Sequence, residues 1–273
     1  MQKSQPSSAT GEGQLVLWFF ALTFAFTWAL QGPGALAVVG VLPGPVEAYL
    51  PFAALGIFGP SVAASVLVWR AERGAGVRAL WGSLFRLGAP PVLYLVALVL
   101  PGALLSAALF AGRRLGYAGP VVFLPDPPAT VIVGLLISVV EEVGWRGYLL
   151  PRWQQRIGAL RASLALGAIW TVWHLPMFVG QGIPLVSLPL MFGYFMAGSV
   201  FMAWVYNRGG GSLLAAVLVH LGAHLNNAHR ALPDDYAPLI AQTAVFVMLA
   251  VLIVWLDRSG LEPAGGARTG DRG

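Results

Sequence analysis

Apolar stretches of about 17 to 25 residues, each closed off by proline, glycine or charge, follow one another along most of this chain and set what it can fold into. They run approximately Gln14 to Leu30, Ala48 to Trp69, Pro91 to Ala111, Ala129 to Leu150, Ala162 to Val179, Leu185 to Tyr206, Ser212 to Ala228 and Ala237 to Leu256. A helix of that length crosses the roughly 30 Å hydrocarbon core with every backbone N–H and C=O satisfied inside the segment. Prolines within the stretches, such as Pro60, Pro101 and Pro189, are tolerated where neighbouring helices satisfy the freed carbonyls. The expected fold is an all-α, polytopic transmembrane bundle of about eight helices. It forms one domain over 14–258, preceded by a polar N-terminus over 1–13 and followed by a disordered Gly-, Arg- and Asp-rich tail over 259–273.

Charge composition agrees with that reading. Only 10% of the residues are charged and 58% are hydrophobic, whereas a soluble domain carries about 25% charged residues. The net charge of +5 would point to nucleic acid in a soluble protein. Here the arginines lie in short loops between apolar segments, so the positive-inside rule accounts for them and the bilayer, not nucleic acid, is the partner. A cytoplasmic N-terminus puts Arg70, Arg73, Arg78, Arg86, Arg152, Arg156, Arg161, Arg208 and Arg258 inside and only Arg113, Arg114 and Arg230 outside. Both termini are therefore expected in the cytoplasm, with the chain multi-pass in the cytoplasmic membrane and without a cleaved signal peptide. Val77 to Leu87 alternates arginine with Leu, Trp and Phe and is expected to lie as an amphipathic helix in the interface. Gly209 to Gly211 reads as a turn with Ser212 capping the next helix. The absence of cysteine removes disulfides, thiolate metal sites and cysteine nucleophiles.

Against this background Glu141 and Glu142 stand out, adjacent and inside the fourth apolar stretch. Each charge at bilayer depth is unfavourable by at least about 2.5 to 3.5 kcal/mol, so the pair calls for a function. Arg146 follows Glu142 by four residues, the favourable order for an intrahelical ion pair. Glu141 projects about 100° away on a regular helix, free of that partner and placed to act as a general base. The bland alternative is a buried ionic cluster that only tethers helices.

The chain has four histidines. His174 closes Trp170-Thr171-Val172-Trp173-His174, with Trp170 one turn back on the same face. His220 and His224 share a face of the seventh segment, and Asn227 and His229 follow, the latter beside Arg230 at the interface. A lone helical histidine is ordinarily a hydrogen-bonded core residue. Nearly every ionisable side chain at membrane depth, however, lies on segments four, five and seven, which implies one shared polar site.

Glu141-Glu142-x-x-x-Arg146, then Trp170-x-x-x-His174, then His220-x-x-x-His224 resembles the three motifs of the CAAX prenyl protease and bacteriocin-processing (Abi) family of intramembrane endopeptidases. The resemblance covers roughly 129–228. It implies that Glu141 and His174 activate a water, that Glu142 with Arg146 supports them, and that His220 and the residue four later bind the oxyanion. It further implies a peptide or membrane-protein substrate, in a family linked to proteolysis and bacteriocin immunity. The chain departs from the pattern twice: Trp170 replaces the usual phenylalanine, and His224 replaces the usual Asn or Asp, with Asn226 and Asn227 close by.

The expected activity is thus peptide-bond hydrolysis by glutamate-activated water, with catalytic residues Glu141, Glu142, His174, His220 and His224, supported by Arg146, Trp170 and Asn227. No cofactor is expected, and no His-Glu-x-x-His zinc signature occurs. If the enzyme is instead a metalloprotease, Glu141, His174, His220 and His224 are the set that would hold zinc. The alternative of another class is a non-proteolytic transporter or scaffold whose Glu/His cluster carries protons or binds an ion.

Overall fold

The computed structural model describes residues 9–119, 121, 129–225 and 236–263. Among them every regular element is helical, as expected. In chain order these are α1 (Ala9–Val38), α2 (Leu50–Gly56), α3 (Gly59–Gly82), α4 (Pro91–Gly112), α5 (Ala129–Glu142), a π-helical segment Val143–Leu149, α6 (Leu150–Ile157), α7 (Ala159–Trp173), α8 (Leu175–Gly180), α9 (Leu188–Arg208), α10 (Leu213–His224) and α11 (Tyr236–Leu256).

Among the described residues five stretches are long and apolar enough to cross a membrane: Gly11–Val38, Val46–Phe85, Pro91–Leu115, Leu185–Arg208 and Tyr236–Leu256. Their outer faces carry exposed apolar side chains, among them Leu17 and Trp18 on α1 and Val251, Leu252 and Trp255 on α11. So much exposed apolar surface belongs against lipid. The chain is a multi-pass membrane protein.

The elements that bear the histidines are built differently from the sequence expectation of two full spans. α7 has 15 residues and α10 has 12. At 1.5 Å per residue neither reaches across a roughly 30 Å core. Both lie inside the bundle instead, α7 against α9 and α10 among α4, α5 and α9, and no residue of α10 is exposed. The fifth segment breaks at His174 because Pro176, in the first turn of α8, has no N–H to continue the ladder. Trp28 of α1 satisfies the Trp173 carbonyl at this break, its indole nitrogen donating at 3.2 Å.

Close backbone approach locks the site-bearing elements together, as expected where small residues rather than water drive helix association. A methyl group on Gly144 would overlap the Pro60 backbone at the start of α3, and one on Gly222 would overlap the Leu98 carbonyl of α4.

The segments that carry Arg156 and Arg208 meet the two ends of the chain's described part at one end of the bundle. There Arg156 pairs with Glu12 at 3.1 Å, Asn207 donates to Gln154 at 3.1 Å, and Arg208 and Trp204 both donate to Asp257. The hydrogen bond from Arg208 holds the Asp257 carboxyl down at about 2, so this clasp between the ends of α9 and α11 stays charged near neutral pH. The expected tail from Ser259 therefore begins as a packed 3-10 turn, Arg258–Leu261, with Leu261 buried; residues 264–273 and 1–8 lie outside the described residues. α3 turns sharply at Arg73 (φ 57°, ψ −153°) and folds back on itself, the Trp81 indole donating to Ser65 Oγ at 3.0 Å. The amphipathic segment expected at Val77 to Leu87 is this returning helix, with Leu80 and Leu84 buried and Arg78, Phe85 and Arg86 exposed. Ser212 caps α10 by accepting from the Ala215 N–H at 3.3 Å.

Candidate active site

Glu141 and Glu142 end α5 where the backbone widens into the π-helical segment. Such segments are rare and concentrate at functional sites. Glu142 and Arg146 are both fully buried, and one guanidinium nitrogen, Nη1, donates to the two Glu142 oxygens at 3.0 and 2.9 Å. The other, Nη2, donates to Ser199 Oγ of α9 at 3.0 Å. His220 of α10 completes the carboxylate's shell, with Nδ1 at 2.9 Å from Oε1. A carboxylate oxygen is an acceptor, so Nδ1 carries the proton and Nε2 faces away from Glu142.

Glu141 is free of Arg146, as the helical geometry suggested, but has a partner of its own. Its Oε2 accepts from the Trp170 indole nitrogen at 2.9 Å. The same indole lies under the Arg146 guanidinium, 4.6 Å from ring centroid to Cζ. His174 Nδ1 lies 2.7 Å from the main-chain oxygen of Trp170, which makes Nδ1 the donor and leaves Nε2 as the ring's acceptor. Glu141 and His174 are thus linked through Trp170. Aromatic rings enclose His174, with Phe178 stacked at 5.4 Å and Phe195 at 4.9 Å.

His224 stacks on His220 with centroids 5.1 Å apart and planes 20° from parallel. Gly134 of α5 makes room for it, since a Cβ there would press on the His224 Cβ. Asn226, Asn227, His229 and Arg230 lie outside the described residues.

A cavity of about 380 Å³ opens against this cluster, bounded by α4, α5 and α7 to α11. Trp170, His174, His220 and His224 line it on the side of the cluster, and mostly apolar side chains such as Met191, Met202 and Phe246 line the rest. Glu141 and Glu142, 2% and 0% exposed, stand behind that wall, held by Trp170 and His220 respectively. Such a cavity, mostly apolar with a few convergent polar groups, is the usual form of a small-ligand or substrate site.

The set that would hold zinc in a metalloprotease is Glu141, His174, His220 and His224. Among the described residues no three His, Asp or Glu side chains gather around one point; the Nδ1 contacts of His174 and His220 leave Nε2 as the ring nitrogen of each that would face an ion.

Two contributions escaped sequence reasoning. Ser199 is a small polar residue in an apolar helix and gives no signal until α9 is seen beside Arg146. Trp170 was legible as an aromatic neighbour of His174, but its hydrogen bond to Glu141 depends on how α7 packs on α5.

Fold and site together define a multi-pass helical membrane protein with a buried Glu–Arg–His centre on an internal cavity. Residues 122–228 match the model of the Rce1-like family, described as type II CAAX prenyl endopeptidase Rce1-like. The CAAX prenyl protease 2 of Methanococcus maripaludis is 25% identical over 258 residues, which covers 88% of this chain and 93% of that protein. The chain is thus similar to that family over 122–228, and the matched segment holds all the described candidate site residues.

Proposed function

We propose that this protein is a membrane-embedded endopeptidase that cleaves peptide bonds in membrane-associated proteins or peptides, using water activated by Glu141. The observation that carries the reading is that His174 and His220, from separate elements, line an internal cavity while Glu141 is held directly behind that wall by Trp170, in a chain similar to endopeptidases.

A water between Glu141 and His174 gives up its proton to the Glu141 carboxylate while its oxygen attacks the scissile carbonyl carbon. His174 Nε2, the acceptor left by the Nδ1 contact, orients that water. The carbonyl oxygen becomes an oxyanion and takes hydrogen bonds from the His220 and His224 side of the cavity. Glu142, itself paired with Arg146, holds His220 through Nδ1 and so fixes the ring at the cavity wall. The C–N bond then breaks, and the proton held by Glu141 passes to the leaving amine. Every atom of the reaction comes from water, substrate and these side chains. The step needs the wall to open, since Trp170 and His220 stand between the carboxylates and the cavity.

The position of Arg156 and Arg208 at one end of the bundle supports cytoplasmic termini in a cytoplasmic membrane. The test is hydrolysis of quenched-fluorescent peptides, with and without a lipid anchor, by purified protein in bilayers. Turnover that vanishes in Glu141→Gln supports the reading. Ion-coupled solute uptake into proteoliposomes without any peptide cleavage would replace it with a transporter.

A further inference from the structure

Trp170 stands where the related motif usually begins with phenylalanine, and in this fold the exchange changes the chemistry at Glu141. Among the described residues, the indole N–H is the one hydrogen-bond donor to the Glu141 carboxylate, at 2.9 Å. Phenylalanine would keep the ring under Arg146 and the main-chain oxygen that receives His174 Nδ1. It would remove only that donor.

The terminal torsion of a glutamate is broad and roughly two-fold, so an unanchored carboxylate presents either oxygen in any direction. A buried carboxylate also needs a donor to offset the loss of water. We propose that the Trp170 indole N–H is a positioning donor for Glu141, pinning Oε2 so that Oε1 is the oxygen left to take the proton from water. The proposal rests on the reading of Glu141 as base. It makes Trp170 a device of this chain rather than of the motif: one residue sets the carboxylate with its side chain and His174 with its backbone.

Two measurements on the full-length protein in nanodiscs test it. In the first, Trp170→Phe is expected to lower kcat per folded molecule about 10- to 100-fold, the effect of losing one hydrogen bond to a charged group, with KM near wild type and a lower unfolding temperature from the buried carboxylate left without its donor. A kcat within twofold of wild type, or a loss explained by falling stability, would overturn the proposal. The second needs no turnover. With tryptophan side chains labelled with nitrogen-15, the Trp170 indole resonance is identified by its disappearance in Trp170→Phe. It is expected to move upfield in Glu141→Gln, where a neutral amide replaces the charged acceptor; a resonance that does not move overturns the proposal whatever the turnover. Wild-type protein that cleaves no peptide would overturn the peptidase reading and the positioning role together, whereas a shifted resonance with normal turnover in Trp170→Phe overturns the positioning role alone.

Discussion

His220 Nδ1 and Glu142 Oε1 are 2.9 Å apart, joining α10 to the end of α5 across 78 positions of sequence. The contact makes Glu142 the hub of the buried network. Its carboxylate accepts from His220 and from Arg146, and Arg146 reaches on to Ser199 of α9. Glu141, one residue earlier, belongs to a different set of contacts, with Trp170 and through it His174. Adjacent carboxylates therefore have separate surroundings, and substitutions at the two should have distinguishable effects.

Glu141→Gln is expected to abolish peptide hydrolysis with the protein still folded. The amide is nearly isosteric and can still accept from Trp170, but it cannot take a proton from water. Loss of a general base lowers rate by about 10² to 10⁴. Full activity on a defined peptide would show that the base lies elsewhere.

Arg146→Ala should act on stability first. It leaves Glu142 buried without its cation, a change of about 3 to 5 kcal/mol when one partner of a buried pair is removed. Thermal unfolding in detergent should fall well below that of Glu141→Gln, and activity should fall with it. Equal unfolding temperatures for Arg146→Ala and wild type would contradict the network.

His224→Asn separates a hydrogen-bonding from a metal-binding role. An oxyanion donor survives the change with most activity kept, while His224→Ala should lose about 10²-fold or more. A zinc ligand would not survive it, because an amide oxygen is a poor substitute for imidazole. Metal analysis of the wild type is expected to find far less than one zinc per chain, with turnover indifferent to chelators. Stoichiometric zinc, lost together with activity in His224→Asn, would make this a metalloprotease.

Gly144→Ala and Gly222→Ala test the packing that assembles the site. Each methyl group meets backbone rather than a movable side chain, Pro60 in one case and the Leu98 carbonyl in the other. Overpacking of this kind destabilises by about 1 to 3 kcal/mol, read as a lower unfolding temperature and yield. Gly32→Ala, where the added carbon meets nothing, is the matched control and should behave as wild type.

Reporter fusions at the two termini should both register as cytoplasmic. The Arg156–Glu12 and Arg208–Asp257 pairs bring these two arginines to the same end as both termini's described segments. An external signal from either terminus would invert the orientation and the side from which the cavity is approached.

The apolar runs and their lengths determined the class of fold by themselves, because in a bilayer a backbone without water has few alternatives to the helix. Glu141, Glu142, Arg146, His174, His220 and His224 were legible for the same reason: at that depth each ionisable side chain is unfavourable enough to need a purpose. The Glu142–Arg146 pair needed only the local spacing of a helix and formed as expected. Helix lengths inside the bundle were not legible. α7 and α10 read as full spans because their apolar neighbours continue the pattern, and only the surrounding helices let them stop short. Nor could periodicity distinguish the π-helical turn at Val143–Leu149 from an ordinary one. Contacts between helices were decided last, and by tertiary structure alone: the indole of Trp170 on Glu141, the imidazole of His220 on Glu142, and Ser199 on Arg146. Each depends on the rotation of one helix against another, which is set by where backbones can approach, at Gly144 on Pro60 and Gly222 on Leu98, and sequence spacing carries no record of that angle.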